Sequence, residues 1–347
     1  MTMTVMTTNA QRIGKVKGEI LAEAEAVSVM TKWGRMFSMK KNSGKQIVFR
    51  RYIPYGATTT SASTQNRPSV TANAHITQEG VAPIPDTLTP VDMTWTLQQY
   101  AALYELSDQV YDLYEDDVEG VAKRQIGNRM TLLREMICYG GLKAGTNLFY
   151  SGGTTRATVD EAISLNFLRR MTRNLKSNHG QMVTKILSAS TSFNTAPVEA
   201  AYVVFCHTDC EQDIRDLPKF IHVAEYGQRK VLDDHEIGSC EGFRFILSPE
   251  LGSIINSGAA VGSTGLVSAG ASQVDVYPVI VCAEDAWGQL TLKGAGTFDV
   301  KVVPHDKPDH YDPLGMFGYV GAKFYFAADI LNNGWLAIGE TGVSTVN

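Results

Sequence analysis

The stretch "SDQVYDLYEDDVEGVAKRQIGNRMTLLREMICYGGLKAG", residues 107–145, contains the clearest periodic pattern in the chain. Its apolar residues recur at helical spacing, at positions 106, 110, 113, 118, 121, 126, 130, 133 and 137. This spacing puts them on one face and predicts a helix of roughly nine turns, about 50 Å long. Ser107 or Asp108 can cap its start, and Gly140 and Gly141 suit its end. Because most globular helices are far shorter, the pattern indicates a structural rod or part of a coiled coil.

The segment before this helix alternates between strand-like and featureless sequence. "KQIVFRRYI" and "VDMTWTLQQYAALYEL" read as strands, and between them lies the ribbon "GATTTSASTQNRPSVTANAHITQEG", residues 56–80. The ribbon holds one acid, one arginine and no lysine. A long loop without structure is unusual inside a compact domain, and a lone hairpin is marginal in water. We therefore expect the ribbon to lie on another molecule.

The remainder of the chain mixes helices and strands. A second helix is predicted over 158–180, followed by strands, short helices and a closing run of strands. With 347 residues, 44% of them hydrophobic, the chain can bury a sizeable core. The order of arm, ribbon, long helix, mixed region and strands predicts an α+β fold.

Charge is distributed unevenly along the chain. Residues 1–51 carry ten Lys or Arg against three acids, whereas the rest carries 21 against 33. A basic arm on an acidic body can contact a polyanion or the acidic bodies of neighbours, or it can be a solvated terminus.

Nothing in the sequence indicates export or a membrane. The N-terminus lacks an apolar signal region, and no run of 18 apolar residues occurs. The five cysteines are an odd number, which favours free thiols in a reducing cytoplasm.

Two clusters could bind metal, but both have a simpler interpretation. The first is the "CHTDC" turn with two later histidines; the second is "HDKPDHYDP", which is also typical of a turn. Their members are Cys206, His207, Cys210, His222 and His235, and His305, Asp306, Asp309, His310 and Asp312. We favour structural roles and expect no metal and no cofactor. No phosphate-loop, GxSxG or HExxH motif occurs, so a metal-dependent enzyme is only an alternative.

Several stretches resemble one known family. "LQQYAALYELSDQVYDLYEDD", "EGFRFILSPEL", "YPVIVCAEDAWGQLTLKG" and "DKPDHYDPLGMFGYVGAKFYFAADILNNGWLAIGE" resemble segments of tailed-phage major capsid proteins with the Hong Kong 97-type fold. The similarity runs from about residue 45 to 340 and is greatest to the branch typified by the enterophage N-four. It implies a virion shell protein, not an enzyme, that is assembled in the host cytoplasm. An encapsulin-type compartment shell is the alternative within the same fold.

The resemblance also implies a division of the chain and a set of partners. The expected parts are an N-terminal arm (1–44), an extended loop (45–103), a peripheral domain (104–184) with a spine helix over 106–140, an axial domain (185–300) and a return to the peripheral domain (301–347). The expected partners are further copies in hexamers and pentamers, a portal protein and packaged double-stranded DNA, and the resemblance allows a decoration protein. No membrane partner is expected.

Candidate site residues follow from this division. Contacts between subunits are expected from the loop and arm, at Arg50, Arg51, Tyr52, Tyr55, Arg67, His75 and Trp95. Candidates to face DNA are Lys15, Lys17, Lys40 and Lys41.

Two expectations concern assembly. The founding phage of the family cross-links its shell through a loop lysine, but no lysine occurs between Lys45 and Lys123. The chain therefore lacks the donor for that isopeptide bond. The arm is also too short to hold a fused scaffold domain, so we expect a separate scaffolding protein.

Overall fold

The periodic stretch folds as two helices, α1 (Asp108–Leu113) and α2 (Val118–Lys143), rather than one. The predicted helix start at 106 is corrected, because Leu106 and Ser107 pair as strand residues with Gly318 and Phe317. Asp117 caps α2 by accepting a hydrogen bond from the N–H of Gly120. The 26 residues of α2 span about 39 Å.

The computed structural model describes most of the chain, namely residues 25–57, 66–83, 85–113, 117–184, 199–227, 230–262, 265–293, 299–306, 308, 310 and 312–346. Lys15, Lys17 and Asp309 lie outside these residues. Within the described part of the chain, no helix is both long and apolar enough to cross a membrane.

A five-stranded sheet lies against α2. Its strands are β1 (Arg35–Met39), β4 (Gln98–Ser107), β11 (Trp287–Leu292), β12 (Asp299–Val303) and β13 (Phe317–Ile330). The long strand β13 pairs antiparallel with β4 over ten residues, and on its other side with β11 and β12, while β1 runs parallel to β11. Apolar residues of α2, among them Ile126 and Met130, share a buried core with Val320 and Phe324 of β13. Gly141 is required at the helix end, because a Cβ there would lie 2.6 Å from the carbonyl oxygen of Ala328.

A seven-stranded sheet forms the second body of structure. Its strands are β5 (Leu148–Tyr150), β6 (Tyr202–His207), β7 (Ile221–His222), β8 (Glu236–Cys240), β9 (Phe243–Ser248), β10 (Tyr277–Cys282) and β14 (Leu336–Thr341). The spatial order is β5-β14-β10-β6-β9-β8-β7. Strands β9 and β10 are buried along their whole length, and most of their side chains are apolar; the exception in charge is Arg244 of β9, which forms a buried ion pair with Glu236.

Helix α3 (Leu165–Ser177) packs against this sheet, and the short α4 (Glu211–Arg215) follows β6. The predicted helix over 158–180 therefore begins later than expected. Ser164 caps it by accepting the N–H of Phe167, and Ala162 just before the cap forms a β-bridge with Gly342.

Each of the two sheets is built from separated parts of the chain. Strands β5 and β14 and helix α3 lie with the seven-stranded sheet, whereas β11 joins the five-stranded sheet. The reason is backbone pairing: the chain passes between the sheets after β4, β10 and β13, so contiguous segments do not map onto single bodies. The division into peripheral and axial domains stays a prediction.

The ribbon joins a separate pair of strands. Strands β2 (Gln46–Tyr52) and β3 (Pro90–Thr96) pair antiparallel, from Gln46 opposite Thr96 to Tyr52 opposite Pro90. A small apolar cluster that includes Met39, Trp95 and Leu290 seats the base of this hairpin against the five-stranded sheet. The predicted strand over 91–106 is two strands separated by the buried Leu97.

Candidate inter-subunit surface

The ribbon continues as an exposed segment to the start of β3, so residues 56–89 are called the ribbon from here on, and its described part exposes large apolar side chains. Val70, Ile76, Val81 and Leu88 are 64%, 73%, 60% and 80% exposed. All the ribbon residues described from Arg67 to Thr89 are exposed, and few hydrogen bonds shape them. Burying such Ile and Leu side chains costs rotamer entropy, but it gains about 25 cal/mol per Å² of covered apolar surface. The ribbon is therefore built to be covered.

The start of the ribbon is held by its own chain. The side-chain amides of Asn66 and Asn332 exchange two hydrogen bonds of 2.9 and 3.0 Å, and both residues are buried. Arg51 donates to the Asn66 Oδ1 atom at 2.8 Å, and Arg67 donates to the Ser177 Oγ atom at 2.7 Å. Asn332 lies between β13 and β14, so this amide pair ties the ribbon to the junction of the two sheets.

Two other predicted contact residues form local pairs at the surface. Arg50 holds Asp92 across the hairpin through two hydrogen bonds of 2.7 and 2.8 Å, which lower the pKa of the Asp92 carboxyl. The Tyr55 hydroxyl and the His75 Nε2 atom are 2.9 Å apart. Tyr52 is exposed. These groups leave much of their surface open to a neighbour.

Trp95 is a correction to the predicted contact set. It is 2% exposed and packs edge-on against Phe37 and Phe49 of its own chain. Residues 94 and 96 face away from it on the same strand, because strand side chains alternate. Trp95 therefore seats the hairpin rather than offering a surface.

Lys40 and Lys41, predicted to face DNA, lie exposed in the turn that follows β1. No ion pair to another described residue engages either of them. Lys15 and Lys17, the other two candidates, are not among the described residues.

A buried carboxylate that the sequence did not single out anchors the described part of the arm at residues 29–31. Glu135 of α2 is fully buried, and its two oxygens accept the backbone N–H groups of Val29, Met30 and Thr31 at 3.1, 2.7 and 3.2 Å. Burial raises the pKa of Glu135, and the three hydrogen bonds oppose that shift. A glutamate next to an apolar stripe was the only sequence signal for this role.

Gln289 of β11 and Lys32 complete the anchor. The Gln289 Nε2 atom donates to the carbonyl oxygens of Thr31 and Trp33 at 3.1 and 2.6 Å. Lys32 forms a 2.8 Å ion pair with Asp233, which precedes β8 of the seven-stranded sheet. Residues 29–33 thus join α2, β11 and the loop before β8.

Several described members of the Cys and His clusters make contacts within the fold. Cys206 and Cys210 are buried, and burial raises the pKa of both thiols, which disfavours the thiolate that binds metals. The His207 Nδ1 atom accepts the backbone N–H of Asp209, and His305 stacks on Tyr111. Among the described residues, no three His, Cys, Asp or Glu side chains are grouped to hold a metal ion.

Known proteins similar to this chain are phage capsid proteins. The major capsid protein of Pseudomonas phage KPP21 is 20% identical over 364 residues, covering 93% of this chain and 90% of that protein. No protein-family model matches.

The solved structures with a similar fold are phage capsids as well. The capsids of cyanophage Pam1 and of Ralstonia phage GP4 each match with a TM-score of 0.64 at 12% identity, over 99% and 100% of both chains. The head of Helicobacter pylori bacteriophage KHP40 matches with a TM-score of 0.59 at 11% identity, over 99% of this chain and 98% of that one. The chain therefore has the Hong Kong 97-type fold of tailed-phage capsids, and its function is that of a major capsid protein, a structural shell subunit and not an enzyme.

Proposed function

We propose that the chain assembles as hexamers and pentamers into an icosahedral head around double-stranded DNA, in the branch typified by the enterophage N-four. The branch assignment rests on the closing sequence, "DKPDHYDPLGMFGYVGAKFYFAADILNNGWLAIGE". Assembly in the host cytoplasm, with a portal protein and a separate scaffolding protein, belongs to the same proposal. A decoration protein on the outer surface is compatible with it.

The exposed ribbon is the observation that carries the proposal. A monomer rarely presents a charge-poor segment with repeated exposed Ile, Val and Leu side chains, because such surface favours association. Many modest contacts of this kind sum to a stable shell, while each remains weak enough to correct errors. The peripheral domain is then the five-stranded sheet with α2, and the axial domain the seven-stranded sheet with α3. The ribbon lies across the adjacent subunit, where Tyr52, Tyr55, Arg67 and His75 join the contact.

Electron microscopy of the purified protein tests this proposal. Full-length chain, expressed alone and together with a scaffolding protein from the same phage, is expected to form rings or closed shells. Deleting Thr58–Thr77 should abolish them, but that deletion also removes the own-chain contacts of Asn66 and Arg67. The double variant Ile76→Asp and Leu88→Asp is sharper, because both side chains are exposed and the fold does not need them.

Val346→Asp is the matched control, since Val346 is 73% exposed outside the ribbon. We expect shells from the control and none from the double variant, with equal melting temperatures. The proposal would be overturned if the wild-type chain stayed monomeric, or if the double variant formed shells as well as the wild type does. If shells of native size formed without any scaffolding protein, only the scaffolding protein would be dropped from the proposal.

A further inference from the structure

Helix α3 separates apolar and cationic side chains onto opposite faces. Phe167, Leu168, Met171 and Leu175 are buried against the seven-stranded sheet. Arg169, Arg173 and Lys176 follow one another at spacings of four and three, so they lie within about 60° of arc on the exposed side. Arg170 flanks this stripe, and the helix contains no acidic residue.

Neighbouring segments add to the positive charge. Lys219 and Arg169 share the carboxylate of Glu241, at 2.8 and 2.6 Å, and Arg67 reaches the last turn of the helix at Ser177. The resulting surface, called the α3 basic face, holds six cations and one carboxylate, a balance of +5 on a chain whose net charge is -5. Its cations are Arg67, Arg169, Arg170, Arg173, Lys176 and Lys219.

Most of this charge is not neutralised within the described chain. Arg173 and Lys176 form no ion pair with a described residue, and Arg170 donates only to the carbonyl oxygen of Tyr150. The acidic residues Asp160 and Glu161 precede the N-terminus of α3 and are not part of the helix that carries these cations. A concentrated cation patch on an acidic protein points to an anionic partner.

The uncharged residues of the α3 basic face indicate which kind of anionic partner it binds. The positions beside and between the cations are Asn166, which is exposed, and Thr172, Asn174 and Ser177, which are half-buried; none of them carries an aromatic or large aliphatic side chain. A protein partner would require apolar anchors, and single-stranded nucleic acid would require aromatic residues for base stacking. Cations with short polar side chains between them suit the phosphate backbone of a duplex, which arginine and lysine bind without reading sequence.

We propose that the α3 basic face binds the phosphate backbone of duplex DNA and therefore lines the interior of the shell. From Arg169 to Lys176 the helix rises about 10 Å, which matches roughly three base pairs of duplex. Flexible Arg and Lys side chains can then follow successive phosphates. This inference rests on the proposed function, because a head that encloses DNA supplies the ligand.

The test is the salt dependence of duplex binding by the purified chain in its unassembled form, in which the α3 basic face is open to added DNA. Fluorescence anisotropy with a labelled duplex of random sequence is measured between about 50 and 200 mM salt, for wild type and for the double variant Arg173→Gln and Lys176→Gln. Each lost phosphate contact reduces the slope of log K against log salt by about 0.9, so the variant should lose about 1.8 units of slope. Binding at about 50 mM salt should weaken by roughly tenfold or more.

The matched control is Arg124→Gln with Arg129→Gln, which removes the same charge from two exposed positions on α2. An equal loss of slope in the control, or no loss in the α3 variant, would overturn the inference. Polyglutamate is tested in the same way. The inference would also be overturned if polyglutamate bound the wild type as tightly as duplex does and bound the α3 variant more weakly, because the partner of this face would then be an acidic polypeptide. Shell assembly is scored separately by electron microscopy, and the α3 variant should still form shells. Failure of the proposed function would instead abolish shells in the wild type.

Discussion

The carboxylate of Glu135 accepts hydrogen bonds from three backbone N–H groups of the arm, those of Val29, Met30 and Thr31. Replacing it with alanine leaves these donors buried without an acceptor, and each such donor costs about 1–3 kcal/mol. We predict that Glu135→Ala lowers the free energy of unfolding by about 3–5 kcal/mol, measured by urea denaturation of unassembled protein.

Glu119→Ala on the same helix is the control for this prediction. Glu119 forms a surface ion pair with Lys123 one turn away, and such pairs contribute less than about 1 kcal/mol. If both variants lost stability equally, the anchor at residues 29–31 would have no special energetic role.

Glu241 provides a prediction about pH. Hydrogen bonds from Arg169 and then Lys219 lower the pKa of its carboxyl to about 2. A lowered pKa stabilises the folded state above the ordinary glutamate pKa, and this contribution is lost as the pH falls toward 2. Carbon-13 titration of the side chain should show a low midpoint in wild type and a midpoint raised toward about 4 in Arg169→Gln. Arg170→Gln, one residue away, should leave the midpoint unchanged; an unshifted midpoint in Arg169→Gln would refute the pairing.

At the scale of elements, the ribbon has a base that is held by its own chain. The Asn66–Asn332 amide pair closes that base, and Asn66→Ala removes the buried acceptor of the Asn332 Nδ2 group together with the hydrogen bond from Arg51 to Asn66. Opening of the ribbon should become easier by about 1–3 kcal/mol. Chymotrypsin cleavage after Tyr52 and Tyr55 in unassembled protein should then be about 5- to 100-fold faster, since cleavage follows the open population.

Asp92→Asn is the matched control, because it weakens a pair that is exposed at the same hairpin. Its cleavage rate should stay within about twofold of wild type. A rate for Asn66→Ala that resembles the control would mean that the amide pair does not hold the ribbon closed.

At the scale of the whole molecule, the shell is expected to be held by non-covalent contacts. No lysine occurs between Lys45 and Lys123, so the ribbon has no amine that could form an isopeptide bond. Denaturing electrophoresis and mass spectrometry of mature particles should show single chains under reducing conditions, which also exclude links through the five cysteines. Linked peptides that include ribbon residues would contradict this prediction.

The sequence alone predicted four features of the fold: helix α2, the pair of strands β2 and β3, the α+β class and the ribbon. Each depends on local spacing: period 3.6 for the helix, alternation for the strands, and absence of charge for the ribbon. The candidate contact residues of the ribbon could be named for the same reason, because an exposed, charge-poor segment is visible in composition alone.

Other features were decided only when distant segments met. Leu106 and Ser107 continue a helical pattern but become strand because β13, more than 200 residues later, supplies their hydrogen bonds. Trp95 is buried by Phe37 and Phe49, and Glu135 finds its donors more than 100 residues away. The sequence by itself therefore determined which segments form the long helix, the strands and the ribbon, because these features depend on the local spacing of side chains. The tertiary structure decided which strand joins which sheet and which polar groups are buried, because backbone pairing and burial depend on residues that no local pattern contains.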